Sequence, residues 1–274
     1  MAAPPHAPSC ASASLALFLD VDGTLLEIAA DPESVHVPPA LMLQLRALVD
    51  SLGGAVALVS GRALEALDRL FAPLVLPAAG LHGFERRDAA QCYRRGAPPP
   101  ETTLAMAREV LTDLARRHPG LRVEDKRFAL ALHYRRAPQL EALALEHMLA
   151  LLDRLAGDLE LQRGKRVLEL RPRGANKAAA VADFLGETPF AGRRPVYVGD
   201  DLTDEPAFEL VNARGGVSVL VGERRPSAAR AELPDVPAVQ EWLQRLEVDP
   251  RGAIGSLAPL ADAPAARPLR SVGP

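Results

Sequence analysis

Two acidic motifs open onto chemistry. Asp20-Val21-Asp22-Gly23-Thr24 directly follows the apolar run Leu15–Leu19, and Gly199-Asp200-Asp201-Leu202-Thr203-Asp204 follows Pro195-Val196-Tyr197-Val198. If each run is a buried strand, both motifs sit at strand carboxyl ends, where open α/β sheets bind ligands. Three carboxylates at one strand end repel one another unless a cation is present, and a hard ion such as Mg²⁺ takes oxygen ligands. Ser60-Gly61-Arg62 follows a third apolar run, residues 55–59. A serine beside backbone N–H groups at a helix N-terminus makes a phosphate cradle. Lys177 opens a helix after Gly174-Ala175-Asn176. Each motif also has a plainer reading. Residues 20–24 suit a strand-end turn, Ser60 an N-cap, and Lys177 a solvated helix start. An Asx turn and N-cap explain Asp204 but leave the Asp200-Asp201 pair without a reason.

The elements around these motifs follow from hydrophobic spacing. Residues 39–52 carry Leu41, Leu45 and Leu48 on one helical stripe, with Pro39 near the start. Residues 55–59 read as a second buried strand, 64–71 as a short helix and 74–78 as a third strand. This alternation predicts a parallel sheet with helices on both faces. The middle breaks the rhythm. A helix over 102–118, a long partly alternating strand over 121–135, a Leu/Ala-rich helix over 140–155 and a hairpin over 159–170, turning near Gly164, make a small α+β module. The α/β rhythm then returns with a helix over 177–185, a strand over 195–198, a helix near 205–211 and a strand over 217–221. The expected organisation is a core of residues 15–99 and 173–248, an inserted module of 100–172, a disordered tail of 1–14 and a flexible tail of 249–274.

Composition excludes several classes. Lys and Arg number 32 against 35 Asp and Glu, a net charge of −3, which leaves no basic excess to neutralise a nucleic-acid backbone. No apolar run approaches the about 20 residues a spanning helix needs. The N-terminal residues lack the basic and apolar regions of a secretory signal. Two cysteines, Cys10 and Cys92, make no disulfide framework, so a reducing, cytoplasmic setting is expected. Lysine occurs only at Lys126, Lys165 and Lys177, which singles each of them out.

The ordered set of the 20–24 motif, Ser60, Lys177 and Gly199-Asp200-Asp201 resembles the four-part arrangement of the haloacid dehalogenase superfamily. In that chemistry an aspartate attacks phosphorus and forms an aspartyl-phosphate, and a second aspartate protonates the leaving oxygen and then activates water. Within the superfamily the chain is similar to trehalose-6-phosphate phosphatases from residue 15 to about 246. The segments LFLDVDGTLLEIAADPESVHVP, ALVSGR, AGLHGFERR, VEDKRFALALHYRRAP, GKRVLELRPRGANKAAA and VYVGDDLTDEPAFELVN carry the likeness. One departure is Ala178, where the family usually has glycine.

The resemblance implies an α/β fold: a Rossmann-like core with a parallel sheet plus an inserted α+β cap. It implies Asp20 as nucleophile and metal ligand, Asp22 as acid/base and ligand through its carbonyl, and Asp200 as third ligand of Mg²⁺. Asp201 and Asp204 would orient Lys177 and the metal waters, while Ser60 and Lys177 hold the phosphate, with Gly23, Thr24 and Arg62 beside it. Glu124, Lys126, His133, Arg135, Lys165, Glu169 and Arg171 are its candidate sugar contacts, together with His82, for which turn capping is the alternative. The implied substrate is a small sugar phosphate, with a functional link to trehalose-6-phosphate synthase and no nucleic-acid or membrane partner. A phosphatase of sucrose phosphate or mannosylphosphoglycerate, or a non-catalytic sugar-phosphate-binding regulator, are the competing readings.

Strand parity qualifies the sugar set. Glu124 and Lys126 share parity with Phe128, Leu130 and Leu132, whereas His133 and Arg135 take the other. If the even side is helix-covered, Glu124 and Lys126 need an irregular strand start or a bulge to reach substrate. Lys165 and Glu169 share one parity and are expected to face the site together, which ranks them first.

Overall fold

The computed structural model describes residues 15–29, 35–155 and 157–260. The chain begins with β1 (Leu15–Leu19), α1 (Pro39–Ser51), β2 (Val56–Val59), α2 (Leu64–Phe71), β3 (Ala78–Gly80), β4 (Glu85–Arg87) and β5 (Tyr93–Arg95). Next come α3 (Glu101–Arg117), β6 (Arg122–Asp125), β7 (Leu130–His133), α4 (Glu141–Arg154), β8 (Leu159–Gly164) and β9 (Val167–Pro172). The rest is α5 (Lys177–Leu185), β10 (Arg194–Gly199), α6 (Glu205–Ala213), β11 (Val217–Val221), β12 (Ala231–Leu233), α7 (Val236–Val248), α8 (Pro250–Gly255) and β13 (Ala258–Pro259).

Among the described residues, nine strands form one sheet in the order β13-β12-β11-β10-β1-β2-β3-β4-β5. Its six central strands, β12 to β3, are parallel, and β13, β4 and β5 add antiparallel edges. Parallel strands bury both faces, and β1 shows how. Leu15, Leu17 and Leu19 pack with residues of α1, α2, α7 and α8. Ala16 and Phe18 point the other way, among residues of α5 and α6. Phe18 stacks on Phe190 with centroids 5.4 Å apart; truncating such a ring to alanine costs about 3–5 kcal/mol.

A second sheet, β6-β7-β9-β8, is antiparallel throughout. One of its faces packs on α3 and α4 through Leu130, Leu132, Leu168, Leu170, Leu111 and Met148. The α/β core and the α+β module expected from sequence are both present.

Three boundaries differ from expectation. The third strand starts at Ala78, because Pro77 offers no N–H to a ladder and only its carbonyl pairs, with Leu58 N. The long strand over 121–135 is two strands. The Asp125 carboxylate accepts Arg127 N at 2.8 Å, Arg127 turns left-handed at φ 71°, and Lys126 N donates to the Ala129 carbonyl at 2.9 Å. Residues 249–260 are not a flexible tail. Asp249 caps α8 by accepting Gly252 N, the Ala253 carbonyl accepts the Trp242 indole N–H at 2.9 Å, and β13 pairs with β12. Those hydrogen bonds tie the segment to the core, and Leu260 is buried. The expected disorder of residues 1–14, and the tail beyond residue 260, lie outside the described residues. No helix among the described residues is long and apolar enough to cross a membrane.

Candidate active site

The carboxyl ends of β10, β1 and β2 lie side by side in the middle of the large sheet, and the first residues beyond them are Asp200, Asp20 and Ser60. Lys177 joins them from the start of α5. Asn176 caps that helix by accepting Ala179 N at 2.7 Å, which fixes the direction in which Lys177 leaves the backbone. The Lys177 ammonium is buried, 3.0 Å from Asp20 Oδ1 and 2.7 Å from Asp204 Oδ1. Burial alone would lower its pKa, but the two carboxylates outweigh it and raise it.

Asp204 is a saturated brace. Its Oδ1 also accepts the Tyr197 hydroxyl at 2.6 Å, and its Oδ2 accepts the backbone N–H groups of Asp200 and Asp201 at 3.0 and 2.9 Å. Asp201 caps the turn 202–204 reciprocally with Asp204; the expected contact to Lys177 comes from Asp204, not Asp201. Asp200 is the opposite case. Its Oδ1 is buried without a hydrogen-bond partner, while Oδ2 accepts from Lys165 Nζ at 2.5 Å. Burial, reinforced by Asp204, pushes the Asp200 carboxyl up to about 6 against the pull of Lys165. Burial also holds Asp20 well above the usual carboxylate range despite Lys177.

Carboxylate oxygens of Asp20, Asp200 and Asp204 lie within 4.8 Å of one another. The orphaned buried acceptor of Asp200, beside Asp20, with burial disfavouring the charged forms of both, fits a hard divalent cation, which would supply the missing positive charge. Gly23 makes the convergence feasible. It takes φ 83°, and a Cβ there would fall 2.2 Å from Asp200 Oδ2.

The Asp22 carboxylate turns away from this cluster. Arg62 grips it with a two-pronged contact, Nε to Oδ2 at 2.7 Å and Nη2 to Oδ1 at 2.6 Å. Ser60 Oγ is buried and accepts Arg62 N at 3.1 Å. The loop beyond β3 interlocks with this one. His82 N donates to the Ser60 carbonyl and Leu81 N to the Arg62 carbonyl, both at 2.9 Å. Leu81 and His82 sit in the left-handed region at φ 48° and 58°, an uncommon conformation for residues with side chains. A Cβ on Gly61 would lie 2.7 Å from the His82 ring, so glycine lets the imidazole lie against the loop.

The module closes the cavity from above. Register places Glu124, Ala131, Glu169 and Gln162 in one row across its sheet, with Arg122, His133, Val167 and Gly164 in the next row of the same face. The 126–129 turn explains how even-numbered Glu124 and odd-numbered His133 share a face: each strand keeps its own parity. Lys126 Nζ, emerging from that turn, donates to Glu169 Oε2 at 2.6 Å and to the Gly61 carbonyl at 2.9 Å. His133 Nε2 lies 2.8 Å from Glu124 Oε2. Glu169 Oε1 lies 3.7 Å from His82 Nε2. Burial would raise the Glu169 pKa, but Lys126 and His82 overcome it and hold the carboxyl low. Burial lowers that of His82, against the pull of Glu169.

Asp20, Asp22, Ser60, Arg62, His82, Glu124, Lys126, His133, Arg135, Lys165, Glu169, Lys177, Asp200 and Asp201 all line one cavity of about 150 Å³. Lys165 and Glu169 both line the cavity, as expected, but with different partners: Lys165 leaves the β8–β9 turn and reaches Asp200, whereas Glu169 groups with Lys126 and His82. Glu124 and Lys126 therefore rank with Glu169, not below it. Arg171 does not line the cavity and pairs with Glu160 at 3.0 Å. Thr24 is fully buried off the cavity, and Gly23 shapes the wall without lining it. Sequence reasoning missed Gln162 and Thr203, both cavity-lining. Gln162 was within reach, since it stands opposite Glu169 in the hairpin.

The family model of the trehalose-phosphatases matches residues 18–237. The chain belongs to this family. A probable trehalose-phosphate phosphatase of Sinorhizobium fredii is 45% identical over 227 residues, covering 82% of this chain and 84% of that protein. The trehalose-6-phosphate phosphatase of Escherichia coli is 42% identical over 235 residues, covering 86% of this chain and 87% of that one. The solved C-terminal domain of the C. albicans trehalose-6-phosphate phosphatase is similar with a TM-score of 0.77 at 25% identity, over 86% of this chain and 93% of that one. As a trehalose-phosphatase family member, the chain carries its two groups of charged residues on separate parts of the fold: the core strand ends hold one, the module face the other.

Proposed function

We propose that the protein is a Mg²⁺-dependent phosphatase that hydrolyses trehalose 6-phosphate to trehalose and phosphate, the last step of trehalose biosynthesis. One observation carries the reading. The buried Asp20–Lys177–Asp200 group faces, across a single cavity, the Glu124, Lys126 and Glu169 side chains of the module. The first suits a phosphoryl group and the second a sugar. Asp20 and Asp200, with the Asp22 carbonyl, would hold the ion, which when bound supplies positive charge for the nucleophile and the phosphoryl oxygens.

Asp20 attacks phosphorus in line. A P–O bond to Asp20 forms as the bond to the sugar oxygen breaks, and Asp22 gives that oxygen its proton. Water then attacks the aspartyl-phosphate, Asp22 takes the proton, and phosphate leaves with Asp20 regenerated. Lys177, 3.0 Å from Asp20 Oδ1, pulls the Asp20 carboxyl toward its charged form without overcoming burial, and with Ser60 it stabilises charge on the phosphoryl oxygens. The cavity of about 150 Å³ is smaller than the roughly 300–1,000 Å³ of most ligand clefts, so the module acts as a cap that lifts to admit a disaccharide phosphate. A synthase making that substrate in the cytoplasm would stand immediately upstream.

The test is phosphate release from a panel of sugar phosphates, with and without Mg²⁺. Preference for trehalose 6-phosphate supports the reading. Preference for sucrose phosphate or mannosylphosphoglycerate replaces the substrate, and no release from any of them refutes the enzyme.

A further inference from the structure

Phe128 belongs to none of the three large groups of core residues, the two faces of the large sheet and the module core. It sits in the module's 126–129 turn, yet its buried neighbours are Leu81, Phe84, Ala129 and Ala175. Leu81 and Phe84 flank the loop that carries His82, and the module's own core, around Leu130, Leu132 and Met148, does not include Phe128. Its ring lies 5.6 Å from that of Phe84. The guanidiniums of Arg95, from β5, and Arg127 lie 4.5 and 4.9 Å from its centroid, within the range of cation–π attraction. Phe128 N donates to the Lys126 carbonyl at 2.9 Å, so the ring and the lysine are two ends of one tight turn.

We propose that Phe128 is a positioning residue for sugar recognition: its ring anchors the module turn on the core, and this anchor aims Lys126 at Glu169 and the Gly61 carbonyl. The inference rests on the sugar-phosphatase reading of the site and extends it to a residue that lines no part of the cavity. The geometry supports it through what Lys126 lacks. Its ammonium is held at both contacts by a four-carbon stem with many rotamers, and the turn is short and left-handed at Arg127. With Phe128 docked, the lysine backbone has one place to be. Without it, the turn detaches from the core, the closed arrangement loses population, and apparent affinity falls with the competent fraction.

The test uses the full chain with Phe128→Ala and Phe128→Leu. KM and kcat are measured for trehalose 6-phosphate and for a small aryl phosphate, with thermal unfolding and amide hydrogen exchange of the unliganded proteins. The contrast between substrates and the place of faster exchange carry the test, because Phe128→Ala removes a buried ring and should itself lower the unfolding temperature. The same variant should raise KM for the sugar phosphate about tenfold or more, leave aryl phosphate kcat/KM within about twofold, and speed exchange at Lys126 and Arg127 but not in α3 or α4. Phe128→Leu should recover most of the loss. Unchanged sugar-phosphate kinetics, or an equal fall for both substrates, would overturn the proposal. If the wild type releases no phosphate from trehalose 6-phosphate, the functional reading fails separately. Exchange at 126–127 then decides the anchor: acceleration in Phe128→Ala supports it and unchanged exchange refutes it.

Discussion

Lys126→Met separates what the Lys126–Glu169 pair does for stability from what it does for substrate. Methionine keeps most of the stem and removes the charge. Glu169 is buried and Lys126 nearly so, with side chains 6% and 10% exposed, and their atoms lie 2.6 Å apart. Removing one partner of a buried pair strands the other charge, at about 3–5 kcal/mol. His82, 3.7 Å from the second oxygen of Glu169, answers part of that charge, which points to the lower end. At about 2–4 °C per kcal/mol for a chain of this size, the unfolding temperature should fall by about 6–12 °C. Adding Glu169→Gln removes the stranded charge, so the double variant should recover about 2 kcal/mol of that loss. Glu169 has its pKa lowered by folding. The stability it contributes is present above its unfolded value and is lost as pH falls through the folded one, so wild type and double variant should converge in acid. Activity should not recover with stability. The double variant should remain at least about tenfold down in kcat/KM for trehalose 6-phosphate, because sugar hydroxyls have lost their partners, while a small aryl phosphate is little affected. If sugar-phosphate hydrolysis returns along with stability, the pair is a structural staple and the assignment fails.

Other outcomes follow from the core. Asp20→Asn should abolish phosphate release while circular dichroism stays native, since the amide is nearly isosteric but not a nucleophile; measurable turnover by the folded variant would remove Asp20 from the reaction. Chelation should silence the enzyme and Mg²⁺ restore it, with residual metal checked by elemental analysis. Asp200 has its pKa raised to about 6 by folding, so its contribution favours the fold at low pH and is lost as pH rises through that value. Mg²⁺ should therefore raise the unfolding temperature more at pH 7.5 than at pH 5.5, and equal increments would count against Asp200 as a ligand. Arg171→Ala should leave kcat/KM for trehalose 6-phosphate within about twofold, because Arg171 pairs with Glu160 and does not line the cavity; a larger fall would return it to the sugar set.

The core of the site was legible because strand ends announce themselves. An all-apolar run followed by Asp or Ser names both the strand and the residue at its carboxyl end, so Asp20, Ser60 and Asp200 needed only a parallel sheet to converge. Rarity marked the lysines: Lys126, Lys165 and Lys177 all line the cavity. The module was harder. Its residues depend on strand parity, and parity holds only within a strand. The left-handed residue that splits 121–135 into two strands is Arg127, and an arginine gives no warning of positive φ as glycine does. Lys165 faces the cavity as parity suggested, but its partner Asp200 was not legible, since the lysine sits in the tight turn between β8 and β9, where alternation no longer sets direction. The C-terminal segment misled by composition. Its Ala/Pro content resembles a linker, but Asp249, Trp242 and the β12 edge supply partners that no window of sequence reveals.

Closure of the module pairs polar groups that substrate would also claim. Lys126 donates to the Gly61 carbonyl, Lys165 to Asp200, and Arg135 to the Ala29 carbonyl. Each contact joins module to core, and each satisfies a group that burial would otherwise leave costly. A ligand entering the cavity must replace these contacts with its own phosphate oxygens and hydroxyls. An analogue lacking a hydroxyl exposes one of the freed groups to an apolar wall and loses that group's full desolvation cost. Specificity therefore does not require the catalytic strand ends to contact sugar at all. It requires that the module exchange one complete set of partners for another, a condition that a small aryl phosphate never meets and never needs to.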